Sequence, residues 1–401
     1  MNSLTYKSRI AAVQSQLEKD GLDGMVVIKP EHVRYLSGFW GYSSRSEYAM
    51  PRRLIAVVVP RRGEVVLITP KIELNFAKRR SWIPDVRHHV EWASATNEVF
   101  GGLELLDRVL TEKGLNRGRL GLELGFISAR LFGMMTGQFS AVEFSDTSYI
   151  IEALRMIKSP EEISVMRTSC RMGVAQLEVE LAAIRSGVRE YEVALKGREE
   201  LVRWSAQHIV ENESGEMPID HPVNEAGSQI ITSGERLDMV HGLASTRRIS
   251  EGDVVLLDFC RVPQLYGFRI GFSRNAALRP LTPAEKEMYE IVDGSYDAAL
   301  KFLRPGVAAE QPDLICRDIL DRAGLGEAFP HRTGRGVGLE PVERPEIGAG
   351  DKTPLAPGMV VTMEPSIYYQ GFALHVEDTY LITESGHELL TRTPREVRDL
   401  S

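Results

Sequence analysis

Two glutamates stand where a chain seldom tolerates charge. The run Gly358-Met-Val-Val-Thr-Met-Glu364-Pro reads as a buried strand ending in a carboxylate, and His375-Val-Glu377-Asp-Thr sets a second acid in otherwise apolar strand sequence. Val254-Val-Leu-Leu-Asp258 is a third strand with an acid at its end. An isolated carboxylate is costly to bury. A fold that keeps these strands inside must therefore gather the acids into a polar pocket or give them a cation, and Arg335 is the candidate partner for an internal salt bridge with Glu364 and Glu377.

At 401 residues the chain exceeds one typical core, so two domains are expected. Its 43% hydrophobic content supplies a buried interior, and a net charge of -8 argues against nonspecific nucleic-acid binding. Cys170, Cys260 and Cys316 are odd in number, far apart and without Cys-x-x-Cys spacing, which excludes a disulfide framework and a zinc knuckle. The first residues, Met1-Asn-Ser-Leu-Thr-Tyr-Lys7, lack the apolar segment of a signal peptide, and no run reaches the roughly 18 apolar residues of a membrane helix. The expectation is a cytoplasmic protein without membrane partners.

Ile10, Val13 and Leu17 recur at helical spacing between Tyr6 and Asp20, and strands are expected at 24–29, 54–60, 64–70 and 119–123, with a helix over 103–113. This alternation to about residue 150 predicts an α/β domain. Lys158-Ser159-Pro160-Glu161-Glu162 is a helix start, with serine at the N-cap, proline next and acids in the first turn. Helices over 163–184 and 190–204 follow, then a polar stretch at 207–225, and then strands at 254–259 and 360–363 with helices over 284–301 and 314–323 between them. Substrate specificity is expected in loops over 40–53 and 207–225.

Five stretches together carry a resemblance. Lys158-Ser-Pro-Glu-Glu162, Gly252-Asp-Val-Val-Leu-Leu-Asp258, Gly334-x-Gly336-x-Gly338-Leu, the Pro357-Gly358-Met359 turn before Glu364, and Val376-Glu377-Asp378 resemble the creatinase/prolidase branch of the pita-bread family in order and spacing. The resemblance spans residues 1 to about 395. It implies an α+β fold with a smaller α/β creatinase-like domain over 1–155 and a pita-bread catalytic domain over 156–401. It also implies a homodimer, since active sites of this branch lie near the dimer interface.

In the metal-dependent members, two Asp, one His and two Glu hold a pair of divalent ions. Position by position, Asp258 matches the first Asp, and Glu364 and Glu377 match the two Glu. The second Asp falls on Gly271 and the His on Arg335. A guanidinium with a pKa above about 12 cannot release its proton to a metal and repels one nearby. A dinuclear site is therefore not expected, no cofactor is assigned, and a single ion on Asp258, Glu364 and Glu377 stays open.

The run His241-Gly-Leu-Ala-Ser-Thr-Arg-Arg-Ile-Ser-Glu-Gly-Asp253 is similar to the metal-free, creatinase-like branch and places His241 on its catalytic histidine. The implied function is metal-independent hydrolysis of a non-peptide C–N bond, in an amidine, cyclic amidine or amide, within a small carboxylated compound. His241 would serve as general base and acid. Glu364 and Glu377 would bind a cationic amidine or orient water, and Asp258 would do the same or act as nucleophile. Arg335 would stabilise negative charge or anchor a carboxylate. Arg53 and Arg344 fall near arginines that grip the substrate carboxylate in that branch, and His331 near a substrate-contacting histidine. Ser273 stands where that branch has a glutamate that grips a guanidinium, which argues against creatine itself.

Plainer readings stand beside these. His241 caps a strand, His331 orders the glycine-rich turn, Arg53 lies on a solvated hairpin face, and the Gly334-x-Gly336-x-Gly338 run serves close backbone packing. Three other functions compete: a metal-dependent Xaa-Pro aminopeptidase or dipeptidase, a small-molecule lyase, and a silent binding module.

Overall fold

A computed structural model describes residues 3–42, 53–91, 101–212, 229–260, 262–369 and 371–401. Most of the expected specificity loops, 43–52 and 213–225, lies outside these residues. The chain divides into two compact units, Met1–Leu154 and Arg155–Ser401.

The first unit is built on one mixed sheet. Its strands are β1 (Gly24–Val27), β2 (Ala56–Pro60), β3 (Val66–Pro70), β4 (Val86–His89), β5 (Gly118–Leu122) and β6 (Val142–Asp146), in the order β4-β3-β2-β1-β5-β6. β2 and β3 pair antiparallel across the Arg61-Arg62-Gly63 turn, while β1 and β5 run parallel. Every residue of β1, β2 and β3 is buried, as expected of strands covered on both faces. Helices α1 (Ser3–Lys19), α2 (Pro30–Ser37), α3 (Leu74–Arg80), α4 (Gly102–Glu112), α5 (Ala129–Gln138) and α6 (Ser148–Met156) flank it. α1 buries Val13 and Leu17 completely, and Leu106, Val109 and Leu110 of α4 join the sheet's core.

The second unit begins with two long helices, α7 (Pro160–Ala183) and α8 (Glu190–Asn212). Ser159 accepts from the Glu162 amide while the Glu162 carboxylate accepts from the Ser159 amide, a reciprocal cap that fixes where α7 starts. α8 runs eight residues past its expected end at Trp204, because Leu201, Ser205 and Ile209 continue one buried stripe at four-residue spacing. Strands follow: β7 (Ile230–Ser233), β8 (Val254–Asp258), the short pair β9 (Gln264–Leu265) and β10 (Phe268–Arg269), and β11 (Ser273–Ala277). After α9 (Pro283–Leu300) and α10 (Glu310–Arg322) come β12 (Gly334–Gly336), β13 (Glu343–Ile347), β14 (Val360–Met363), β15 (Ser366–Tyr369), β16 (Phe372–His375), β17 (Asp378–Ile382), β18 (His387–Leu389) and β19 (Arg398–Asp399). They form two main sheets, β19-β11-β8-β7 and β13-β12-β14-β17-β18, with β15-β16 as a hairpin.

The two sheets are stitched together at one place. The Ser273 amide at the head of β11 donates to the Glu377 carbonyl just before β17 (3.1 Å), and Thr379 Oγ1 donates to the Gly271 carbonyl (2.6 Å). Among the described residues no helix is long and apolar enough to cross a membrane.

Candidate active site

The stitch is where the charged side chains meet. Asp258 closes β8, Arg335 is the middle residue of β12, Glu364 directly follows β14, His375 ends β16 and Glu377 precedes β17. Behind them, Asp378 accepts from Arg274 Nη2 (2.6 Å), Thr391 Oγ1 (2.7 Å) and Tyr296 Oη (3.2 Å), a buried knot that fixes the backbone carrying His375 and Glu377.

Arg335 is the hub. Its Nη1 donates to Glu377 Oε1 (2.6 Å), Glu364 Oε1 (2.8 Å) and Thr362 Oγ1 (2.6 Å), its Nε to the Pro341 carbonyl (3.1 Å), and its Nη2 to Cys260 Sγ. The pairing anticipated between this arginine and the two glutamates is thus present. Burial pushes the Glu377 carboxyl above the usual carboxylate range against the pull of Arg335. Burial also pushes the Cys260 thiol up to about 12, which makes it a poor nucleophile.

One participant escaped the sequence reading. His375 Nε2 lies 3.9 Å from Glu364 Oε2, its Nδ1 4.0 Å from Asp258 Oδ2, and Tyr368 Oη bonds that Nδ1 at 3.1 Å. Burial, reinforced by His331, Arg335 and His241, drives the His375 pKa well below the ordinary histidine value, so the ring is a neutral imidazole with a lone pair to give. A signal was available: residues two apart on a strand share a face, so an acid at 377 implicates the side chain at 375.

The other candidate residues are distributed as follows. His331 sits beside His375, with ring centroids 5.8 Å apart; its Nδ1 bonds the Arg332 carbonyl and its Nε2 is buried without a hydrogen-bond partner. His241 is exposed on a turn ahead of Leu243, within electrostatic reach of His375. Ser273 is fully buried, and its hydroxyl donates to the His375 carbonyl (2.9 Å). Arg344 does not turn to the cluster; its exposed side chain lies 3.6 Å from Asp351. Arg53, in the first unit, ion-pairs with Glu91 at 3.1 Å.

A pair of metal ions does not fit these residues. Position 271 offers no donor, and a Cβ built there would collide with Glu377 Oε1 and stand 3.1 Å from Arg335 Nη2. Position 335 holds a permanent cation. Donors for one ion do exist: one atom from each of Glu364, His375 and Glu377 lies within 4.8 Å of the others, and His375 Nε2 and Glu377 Oε2 are buried with no hydrogen-bond partner.

Comparison with known proteins agrees with this architecture. Residues 164–384 match the profile of Metallopeptidase family M24, and residues 9–157 that of the Creatinase/Prolidase N-terminal domain. A Xaa-Pro dipeptidase of Pyrococcus furiosus is 30% identical over 98% of this chain and 99% of its own length. Among solved structures, a Xaa-Pro dipeptidase from Bacillus anthracis superposes with a TM-score of 0.82 at 26% identity, over 98% of this chain and all of that one. The prolidase from Pyrococcus horikoshii gives 0.79 at 27% identity, over 97% and 99%.

These matches overturn the expectation of a metal-independent, creatinase-like enzyme for non-peptide C–N bonds. The hydrolase class stands, as a peptidase. The sequence argument failed because it sought the metal-binding imidazole at position 335 alone, whereas the fold brings His375 up to Glu364 and Glu377. With both of its domains matched in order and a relative aligned over nearly its whole length, the chain belongs to metallopeptidase family M24, the pita-bread family of the creatinases and prolidases.

Proposed function

We propose that the chain hydrolyses dipeptides of the Xaa-Pro type with a divalent cation bound. The observation that carries this is the convergence of Asp258, Glu364, His375 and Glu377 on one buried pocket, in a chain that aligns end to end with a Xaa-Pro dipeptidase. A dipeptide takes the place of the amidine substrate expected earlier. Glu364, His375 and Glu377 would hold the cation, which when bound polarises a scissile carbonyl and makes water more acidic.

The side chains then divide the work. Glu364 is the most exposed of the three carboxylates, with Oε1 fixed by Arg335 and Oε2 left for the cation, so Asp258, which lies outside the donor set, would take the proton of the attacking water. His241, exposed and within electrostatic reach of His375, would deliver a proton to the leaving nitrogen. The unpartnered Nε2 of His331 supplies a hydrogen bond to the bound dipeptide.

The test is release of free proline from Xaa-Pro dipeptides by the purified chain with added Mn2+ or Co2+, with and without chelator. Cleavage that stops with chelator and returns with the ion is expected, and His241→Ala should lower kcat about 10²- to 10⁴-fold. No cleavage of any dipeptide with the ion present would overturn the proposal.

A further inference from the structure

We propose that this pocket takes one divalent cation, held by Glu364, His375 and Glu377, and that the Arg335 guanidinium serves as a built-in second cation. The inference deepens the reading above and rests on it for the pocket's use in hydrolysis.

Three observations lead to it. The first is charge. Counted in the ionised form that cation binding requires, Asp258, Glu364 and Glu377 contribute -3 and Arg335 contributes +1, which sums to -2. One divalent ion brings the cluster to neutrality, whereas two would leave +2 in a site of low dielectric.

The second is how the carboxylates are shared. Arg335 Nη1 takes Oε1 of both glutamates, so each has its other oxygen left for a ligand. Glu377 Oε2 has no hydrogen-bond partner although its residue is completely buried, and His375 Nε2 is orphaned in the same way. An ion about 2.1 Å from each donor needs donors roughly 3 to 4 Å apart; His375 Nε2 and Glu364 Oε2 are 3.9 Å apart.

The third is support. For Nε2 to ligate, Nδ1 must carry the proton, and Tyr368 Oη stands 3.1 Å from it to accept. The imidazole in the donor set favours a transition ion such as Co2+, Mn2+ or Zn2+ over Ca2+ or Mg2+. On the other side, Gly271 and the guanidinium crowd the space: a Cβ at 271 would displace Glu377 Oε1 and stand 3.1 Å from Arg335 Nη2.

The experiment uses the full chain, stripped with chelator, dialysed, and titrated with Co2+ alone, read by calorimetry and by the visible absorption of the bound ion. One ion per chain is expected. His375→Gln should weaken it at least about tenfold, and Arg335→Met should tighten it, because the cluster's charge falls from -2 to -3. Two ions per wild-type chain, none, or one ion indifferent to His375→Gln would each overturn the proposal. Melting curves accompany both variants, and the wild-type stoichiometry decides alone if neither folds. Dipeptide cleavage with two ions bound would sink this inference and leave the peptidase reading, whereas one ion without cleavage would do the reverse.

Discussion

Arg335 is held at 2% side-chain exposure, a setting in which an unpaired guanidinium would be prohibitive and in which its partners depend on it equally. Removing one member of a buried ion pair costs about 3–5 kcal/mol, because the remaining charge stays desolvated. Arg335→Met in the presence of chelator should therefore lower stability by about that amount in urea titrations; a loss below about 1 kcal/mol would mean that Glu364 and Glu377 do not need it. The pairing was legible in the sequence, since a permanent cation among strand-borne acids has few alternatives. The parts contributed by His375 and Tyr368 were not, because they depend on which loops the two sheets bring together. Nor was the setting of Ser273 legible, where the bridge to Glu377 turns its hydroxyl to the His375 carbonyl.

At the scale of elements, helix starts were more legible than helix ends. Ser159-Pro160-Glu161-Glu162 announces α7 through local chemistry alone, whereas the end of α8 is set by a buried stripe that polar residues such as Gln207 interrupt in sequence but not in space. The contact of α7 with α8 hides an acid. Glu180 is completely buried, accepts from Gln176 Nε2 (2.7 Å) and Gln229 Nε2 (2.9 Å), and lies over Gly197 of α8, where a Cβ would collide with it. Burial pushes its pKa from 4.5 to about 8, against those two hydrogen bonds. Between these values the folded chain keeps a proton that the unfolded chain has lost, so this group makes stability fall as pH rises from about 4.5 to about 8. Each unit of separation is worth about 1.4 kcal/mol. Glu180→Gln should thus gain on the wild type steadily across that window and hold a constant difference outside it, in denaturant titrations at several pH values; a flat difference would show that Glu180 is charged in the folded state.

Across the whole molecule, each unit carries hydrophobic cores of its own. Among the described residues one cluster gathers the β1–β6 sheet with α4 and α5, and three others belong wholly to the second unit. Every side chain offered for the cation lies in Arg155–Ser401. Calorimetry should accordingly resolve two transitions, with Co2+ raising only one, by about 2.7 kcal/mol at a hundredfold excess over Kd. A single transition that moves as one would mean that the units unfold together. The α+β pita-bread architecture was legible because strand-borne acids, glycine turns and caps recur in a fixed order along nearly the whole chain. The chemistry was harder to read, since a donor set is a property of space, and the imidazole beside Glu364 and Glu377 comes from a strand other than the one that carries Arg335.

The fit between Gly271 and Arg335 also restricts what can stand at either position. A side chain at 271 meets the same glutamate oxygen that the guanidinium grips, so an acid cannot appear there while the arginine remains without forcing both aside. A carboxylate gained at 271 with Arg335 in place would displace the Glu377 carboxylate that the guanidinium holds, so the two positions are coupled through that glutamate. What sits at one of these positions therefore sets how much room the other leaves, through a single shared oxygen.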